Sequence, residues 1–188
     1  MHPRTSQTEI AVLGALDVEP MTGYALRQAI HDVLGHFWSE SFGQIYPTLA
    51  RLERDGLVQR RGASRAGAST YETTASGRAH LRELLALPIQ APPPRSGLLL
   101  RLFFGRHLGI EFCRALVLES RTDAVERLAA YEQIAQELES ETGNADDRPY
   151  WLLTVAAGKH STRAAITWAD EALAALDEIQ ADHGKRAG

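Results

Sequence analysis

The chain has 188 residues, of which 44% are hydrophobic and 23% are charged, and its formal net charge at pH 7 is −4. This length and composition allow a sizeable buried core and suit two small domains, while no apolar stretch approaches the roughly 18 residues of a membrane-spanning helix. The single cysteine, Cys113, excludes an internal disulfide, and neither paired cysteines nor a tight histidine cluster offers a metal site. Because the first residues are polar and form no apolar signal core, we expect a cytoplasmic protein without membrane contact.

Charge is distributed unevenly along the chain. Residues 91–188 contain eleven basic and fifteen acidic residues, whereas residues 41–82 contain seven arginines and only three acidic residues. A local basic surface is what binding to phosphates requires, so the overall negative charge does not exclude a nucleic-acid partner.

Two helices are predicted before residue 31. The first spans about residues 7–16, behind a capping Ser6, and stops before Pro20. The second spans residues 22–30, with Thr22 as its cap.

A third helix is predicted after the aromatic pair at residues 37–38. Ile45, Leu49 and Leu52 lie on one side of it, and its other side carries the polar residues Gln44, Thr48 and Arg51. It ends near Gly56, since glycine adopts the left-handed conformation without steric cost. Proline is tolerated only in the first turn of a helix, so Pro47 implies that this helix either begins near Gly43 or bends.

The next segment predicts a hairpin with a basic tip. Residues 57–61 and 70–73 have the composition of short strands, and the loop between them is rich in glycine, serine and alanine. A fourth helix follows at about residues 75–87, and three prolines at 92–94 form a stiff spacer. We therefore predict a first domain at residues 1–90, a linker at 91–97 and a second domain at 98–188.

The second domain is predicted to contain a short apolar run at residues 98–104 and two long antiparallel helices, at about 110–141 and 149–181. The predicted apolar seams consist of Phe112, Leu116, Val125, Leu128, Ala135 and Leu138 in the first long helix, and of Trp151, Val155, Ala165, Ala169, Leu173 and Leu176 in the second. Two helices rarely cover all of their apolar surface, so we expect this domain to form a homodimer. Small residues such as Gly158 and Ala164 would allow another helix to approach closely.

Three helices followed by a two-stranded ribbon is the element order of a winged helix-turn-helix, whose third helix enters the major groove of double-stranded DNA. The predicted fold is thus mainly α, with a two-stranded wing and a helical dimerisation domain. Side chains in the third helix and the wing can contact bases or phosphates. The candidate DNA-binding residues are Ser41, Gln44, Tyr46, Thr48, Arg51, Arg60, Arg61 and Arg65. Arg51 could instead be an ordinary solvated arginine, and Tyr46 could pack into the core.

Residues 37–58, which read FWSESFGQIYPTLARLERDGLV, closely resemble the third-helix region of PadR-like transcriptional regulators. Gly23-Tyr24-Ala25-Leu26 resembles the start of that family's second helix, and residues 71–78 resemble its second wing strand entering the fourth helix. The resemblance implies a homodimeric regulator, usually a repressor, that binds a palindromic operator and releases it when a small hydrophobic or aromatic compound binds. The second domain looks like the larger C-terminal domain of one branch of the family.

The sequence identifies no cofactor. Phe104, His107, Trp151 and Trp168 are candidates to line an effector pocket, because flat ligands stack on aromatic faces, although aromatics at helical spacing also suit a core. No phosphate-binding loop, metal-ligand spacing or nucleophile motif is present, so we do not expect an enzyme. The remaining alternative is a winged-helix adaptor that binds protein rather than DNA.

Overall fold

The computed structural model describes residues 4–35, 37–38, 42–63, 69–89, 95–140 and 143–187. The chain divides into two compact units, residues 1–92 and 93–188. The elements of the first unit are α1 (Arg4–Val18), β1 (Met21–Thr22), α2 (Gly23–Ala29) with a π-helical turn (Ile30–Leu34), α3 (Phe42–Arg54), β2 (Val58–Ala63), β3 (Ser69–Thr73) and α4 (Ala75–Leu85). Those of the second unit are α5 (Gly97–Phe103), a 3₁₀ turn (Gly105–His107), α6 (Ile110–Ser140) and α7 (Arg148–Ala187).

Local capping signals mark several helix ends in the first unit. The Thr22 hydroxyl accepts a hydrogen bond of 3.1 Å from the Ala25 amide at the start of α2, which confirms the predicted cap. Gly56, directly after α3, has the left-handed φ of 73° that its prediction required. The predicted Ser6 cap is wrong, because α1 begins at Arg4 and Ser6 lies inside it. Thr74, which the sequence analysis did not identify, caps α4 by accepting from the Gly77 amide.

Helix α3 continues through Pro47. It begins at Phe42, so the proline is its sixth residue rather than part of its first turn. Pro47 has no amide hydrogen, and the carbonyl of Gly43 therefore lacks its usual partner four residues on. Both residues are exposed, which lets water satisfy that carbonyl.

The sheet has three strands rather than the two that were predicted. Its order is β1–β3–β2, all antiparallel, with Met21 opposite Tyr71 and Val58 opposite Thr73. The short strand β1 was missed because two residues are too few to display the alternation that identifies a strand. It anchors the hairpin to the segment that leads into α2.

The core of the first unit is formed by residues from every helix and from β2. The prediction that Ile45, Leu49 and Leu52 face inward is confirmed, since all three are buried. They pack with buried aliphatic side chains from the neighbouring elements, including Val12, Leu13, Leu16, Leu26, Val58 and Leu81. Burying one such side chain contributes about 1.5–3 kcal/mol, so this core holds α3 firmly by its inner face.

The second unit is an antiparallel hairpin of α6 and α7 with a heptad-spaced seam. Val117, Ala124 and Tyr131 are buried at intervals of seven residues in α6, as are Val155, Thr162 and Ala169 in α7. A repeat of seven keeps one face of each helix toward its partner. Ion pairs across the seam join Arg114 to Asp177 (3.1 Å), Arg121 to Asp170 (2.6 Å) and Arg163 to Glu132 (3.1 Å).

Part of the predicted seam is wrong. Val155 and Ala169 are buried as predicted, but Phe112 and Val125 are exposed. The buried positions of α6 are instead Cys113, Val117, Ala124 and Tyr131, because the helical period alone does not distinguish two adjacent apolar stripes. Cys113 is buried, and its thiol donates to the carbonyl of Gly105 at 3.7 Å.

Gly158 of α7 allows close packing against α6 within the helical hairpin. Gly158 is buried, and a Cβ placed on it would lie 2.3 Å from Cζ of Tyr131. The close approach that Gly158 permits is therefore that of α6 in the same chain. Ala164, in contrast, is exposed.

Candidate nucleic-acid interface

The outer face of α3 is a narrow surface of small and polar side chains. Gly43, Pro47, Ala50 and Arg54 are all exposed, and their spacing of three and four residues aligns them along one side of the helix. Gln44 lies beside this line, is also exposed, and has no hydrogen-bond partner among the described residues. Since the opposite face of α3 is in the core, this surface is held outward in a defined orientation.

Tyr46 and Thr48 were both predicted to contact DNA, but only Tyr46 is exposed. Tyr46 is exposed, and its ring packs beside Gly23 at the start of α2, where an added Cβ would come within 3.2 Å of Cε1. Thr48 is only 6% exposed, so the prediction that it shares an outer side with Gln44 is wrong. It lies four residues after Gln44, and four residues turn an α-helix about 40° past a full turn, which takes Thr48 into the boundary of the core. Its hydroxyl therefore does not face a groove in this structure.

Arg51 is committed to an ion pair inside the first unit. Its Nη2 donates to Oε1 of Glu9 at 2.6 Å, and Nε2 of His80 lies 3.1 Å from the other oxygen of the same carboxylate. The Glu9 side chain is only 9% exposed. One buried carboxylate thus joins α3 and α4 to α1. Arg51 is therefore part of the contact that holds α3 on α1 and is not a freely solvated arginine.

The described wing arginines also have acidic partners. The Arg60 guanidinium donates to both oxygens of Glu53, at 2.6 and 3.4 Å, and lies 5.6 Å from the centre of the Tyr71 ring. The hydrogen bond and the negative charge of Glu53 raise the pKa of Arg60 above its usual value, so this guanidinium stays charged. Arg60 therefore ties β2 to the end of α3.

Arg61 belongs to a second cluster on the hairpin. Its Nη1 donates to Oε2 of Glu72 on the neighbouring strand at 3.1 Å, and the Gln59 amide donates to the other oxygen at 2.8 Å. Arg61 is exposed, and an exposed pair of this kind contributes about 0–1 kcal/mol, so the guanidinium can readily exchange its carboxylate for another anion. Ser41 and Arg65 lie outside the described residues.

The acidic groups that bind these arginines were not predicted from the sequence. Glu9, Glu53 and Glu72 are the partners of the predicted arginines, and no local motif marks them because each acts across a distance in sequence. Tyr24, at the start of α2 and 68% exposed, is a further candidate. It follows Gly23, which touches Tyr46, so two tyrosines lie near the same end of the interface.

The four predicted effector residues are not brought together within one chain. Phe104 and His107 lie beside the start of α6, where Glu111 accepts from Gln180 at 2.7 Å. Trp151 is near the other end of α7, roughly 40 Å from Gln180 at the helical rise of 1.5 Å per residue. The antiparallel hairpin of α6 and α7 thus separates Trp151 from Phe104 and His107 within one chain, and the effector pocket stays a prediction.

Trp168 is half-buried in the middle of α7. The second unit also has an open groove of about 240 Å³ along α5 and α6, but none of the four predicted residues lines it. Its lining consists of Leu98, Arg101, Leu116, Glu119, Ser120 and Asp123.

Other kinds of site find no support in the described part of the chain. No group of three or more histidine, cysteine, aspartate or glutamate side chains there could hold a metal ion. Among the same residues, no helix combines the length and the apolar character needed to cross a membrane.

Comparison with known proteins agrees with this architecture. Residues 12–83 match the model of the transcriptional regulator PadR-like family, and residues 94–177 match the model named virulence activator alpha C-term. A relative in Mycobacterium tuberculosis, named as a probable transcriptional regulator, is 26% identical over 89% of this chain and 96% of its own length. The negative transcriptional regulator PadR of Bacillus subtilis is 22% identical, with the same coverage of both chains.

The crystal structure of Bacillus subtilis PadR with operator DNA superposes with a TM-score of 0.75 at 21% identity, covering 89% of this chain and 98% of that one. The same protein with p-coumaric acid gives a TM-score of 0.72 at 22% identity, covering 90% and 98%. At these identities the likeness shows the shared fold. A winged-helix unit with an outward-facing third helix, followed by a helical unit, defines the class of winged-helix transcriptional regulators. Within that class, the segment at residues 12–83 is PadR-like, and the PadR-like family consists of regulators and not of enzymes.

Proposed function

We propose that this transcriptional regulator binds operator DNA by inserting α3 into the major groove. The observation that carries the proposal is the outer face of α3, where Gln44 and small side chains are exposed while Ile45, Leu49 and Leu52 lock the inner face into the core. A helix held in this way can enter a groove about 12 Å wide without disturbing its own domain. Gln44 then contacts base edges.

Phosphate contacts are proposed for the residues around this helix. Arg61 and Arg65 contact the backbone from the hairpin, and Ser41 and Tyr46 contact it from the start of α3. Arg60 and Arg51 support the interface mainly through Glu53 and Glu9, which already bind their guanidinium groups. Such contacts set the register of the protein on DNA and make its affinity depend on salt.

The regulator is proposed to act as a homodimer on a palindromic operator. The second unit leaves large apolar side chains exposed, among them Leu99, Leu100, Phe103, Phe104, Phe112 and Leu153. A large exposed apolar surface is characteristic of a protein interface, and a two-fold axis pairs identical surfaces. Two copies of α3 would then read half-sites one DNA turn, or a multiple of it, apart.

Repression and release by an effector complete the proposal. The relative in Bacillus subtilis is a negative regulator, and one of its structures contains p-coumaric acid. We propose that this chain likewise represses transcription and leaves its operator when a small aromatic compound binds to the second unit. Because Trp151 lies far from Phe104 along the hairpin, a pocket that uses both would need the two copies of the dimer.

The proposal is tested by selecting bound DNA from a random-sequence pool with the purified full chain. Enrichment of an inverted repeat supports a sequence-specific dimer, whereas enrichment of single half-sites contradicts the dimer. A reporter with the selected site over its promoter distinguishes repression from activation, and a panel of aromatic acids tests release. Absence of binding even at low salt would favour a winged-helix adaptor, the alternative that the paired state of Arg51, Arg60 and Arg61 supports.

A further inference from the structure

The outer face of α3 has a composition that restricts which bases it can read. Gly43, Pro47 and Ala50 form its central line, and from Gly43 to Ala50 the helix rises about 10 Å, the height of roughly three base pairs. Neither Pro47 nor Ala50 has a side-chain donor or acceptor, so this line can only make apolar contacts. Gln44, on its edge, contributes one amide.

Guanine is the base that arginine and lysine read, through two hydrogen bonds to O6 and N7. Helix α3 contains two such residues, Arg51 and Arg54, and no lysine. Arg51 is held by the buried Glu9 carboxylate at 2.6 Å. Arg54 is the last residue of the helix, where its Nε donates to Asp55 at 3.1 Å, a full turn beyond Ala50. From Gly43 to Ala50 the outward line of α3 therefore carries no basic side chain, and the exposed Arg54 lies a turn beyond it.

Adenine–thymine pairs have the complementary chemistry. Adenine offers an acceptor at N7 and a donor at N6 to the two ends of a glutamine amide, and thymine carries a 5-methyl group in the same groove. We propose that α3 selects adenine–thymine pairs, with Gln44 bound to an adenine and with Ala50 and Pro47 packed on thymine methyl groups. This inference rests on the proposed function, since it names the bases that the same helix reads.

The first experiment removes one contact group at a time from the bases of the DNA. In the operator selected by the full chain, each thymine in turn is replaced by deoxyuridine, which lacks only the methyl group, and each adenine by 7-deazaadenine, which lacks N7. Loss of one buried methyl contact corresponds to about 0.8 kcal/mol, so the affinity at the contacted thymine falls about fourfold. Loss of half of a bidentate contact lowers the affinity at the contacted adenine about two- to twelvefold. Fluorescence anisotropy measures both.

Protein variants assign each effect to its side chain. Ala50→Gly removes the side-chain methyl group that is proposed to contact thymine. Deoxyuridine at the contacted position should therefore cause no further loss of affinity in this variant. Gln44→Ala should abolish the effect of 7-deazaadenine at its position. Glycine also weakens a helix by about 1 kcal/mol, and Ala79→Gly, at an exposed position within α4, is the matched control that keeps its sensitivity to deoxyuridine.

The outcomes separate the two proposals. Sensitivity to the missing methyl and N7 in the full chain, and its loss in Ala50→Gly and Gln44→Ala, supports the inference. If the selected half-site consists of guanines, and affinity falls with 7-deazaguanine but not with deoxyuridine, the inference is wrong while the regulator proposal stands. If no DNA is bound at low salt, the proposed function itself fails.

Discussion

Replacing Glu9 by alanine removes the carboxylate that joins three helices of the first unit. Its two oxygens lie 2.6 Å from Nη2 of Arg51 and 3.1 Å from Nε2 of His80, and the side chain is only 9% exposed. A hydrogen bond to a charged group contributes about 1.5–3 kcal/mol, and breaking a fully buried ion pair costs about 3–5 kcal/mol. The Arg51 side chain is 33% exposed and can be rehydrated, which reduces the cost. We therefore expect a loss of about 2–3 kcal/mol in the first unit.

Hydrogen–deuterium exchange of the full chain, followed by mass spectrometry of its peptides, measures this loss where it occurs. At about 1.36 kcal/mol per factor of ten, peptides of α3 and α4 should exchange about 30 to 150 times faster in Glu9→Ala. Peptides of α6 and α7 serve as an internal reference, because they belong to the other compact unit.

Asp17→Ala is the matched control for this experiment. Asp17 pairs with Arg78 at 2.6 Å and so also joins α1 to α4. Both side chains of this pair are well exposed, in contrast to Glu9. A surface pair contributes at most about 1 kcal/mol, which corresponds to no more than about fivefold in exchange. If Glu9→Ala accelerates exchange no more than Asp17→Ala does, the reasoning from burial is refuted.

Three further predictions concern the helical hairpin of α6 and α7, the wing and the dimer. Gly158→Ala should destabilise the second unit by about 1–3 kcal/mol in urea unfolding followed by circular dichroism, because the new Cβ would lie 2.3 Å from Cζ of Tyr131. Gly14→Ala, in open space within α1, should instead be neutral or stabilise by up to about 1 kcal/mol; equal losses would contradict the packing argument. Arg61→Ala should weaken binding to all DNA sequences alike and reduce the salt slope by about 1, and an unchanged slope would remove this residue from the backbone contacts. Phe112→Ser should shift the full chain toward monomer in sedimentation equilibrium, whereas an unchanged distribution would place the dimer surface elsewhere.

Much of the fold was predictable because its signals are local. The apolar spacing of Ile45, Leu49 and Leu52 identified the inner face of α3, and the structure buries all three. Thr22 and Gly56 marked a helix start and a helix end through backbone chemistry that involves only their near neighbours. The same kind of signal identified the hairpin and the two long helices. The class of the protein followed from the order of these elements.

The candidate interface was predicted less well, because it depends on which residues meet. Gln44 lies where the sequence indicated, but Thr48 is buried, since the helical pattern alone did not define how wide the buried stripe of α3 would be. From the sequence alone, every arginine in the basic segment at residues 41–82 looks free to contact DNA. In the structure Arg60 is bound by Glu53, from a different element.

By itself, then, the sequence determined the main helices, the Thr22 cap, the β-hairpin and the regulator class, since each rests on spacing within a few residues or on a contiguous motif. Only the tertiary structure decided that Glu9 binds Arg51 and His80, which lie 42 and 71 residues away along the chain. It likewise decided that β1 joins the sheet and that Trp151 is separated from Phe104. Contacts of this kind depend on how the packed elements are oriented, because ion pairs and strand pairing act through space and leave no periodic trace in the sequence.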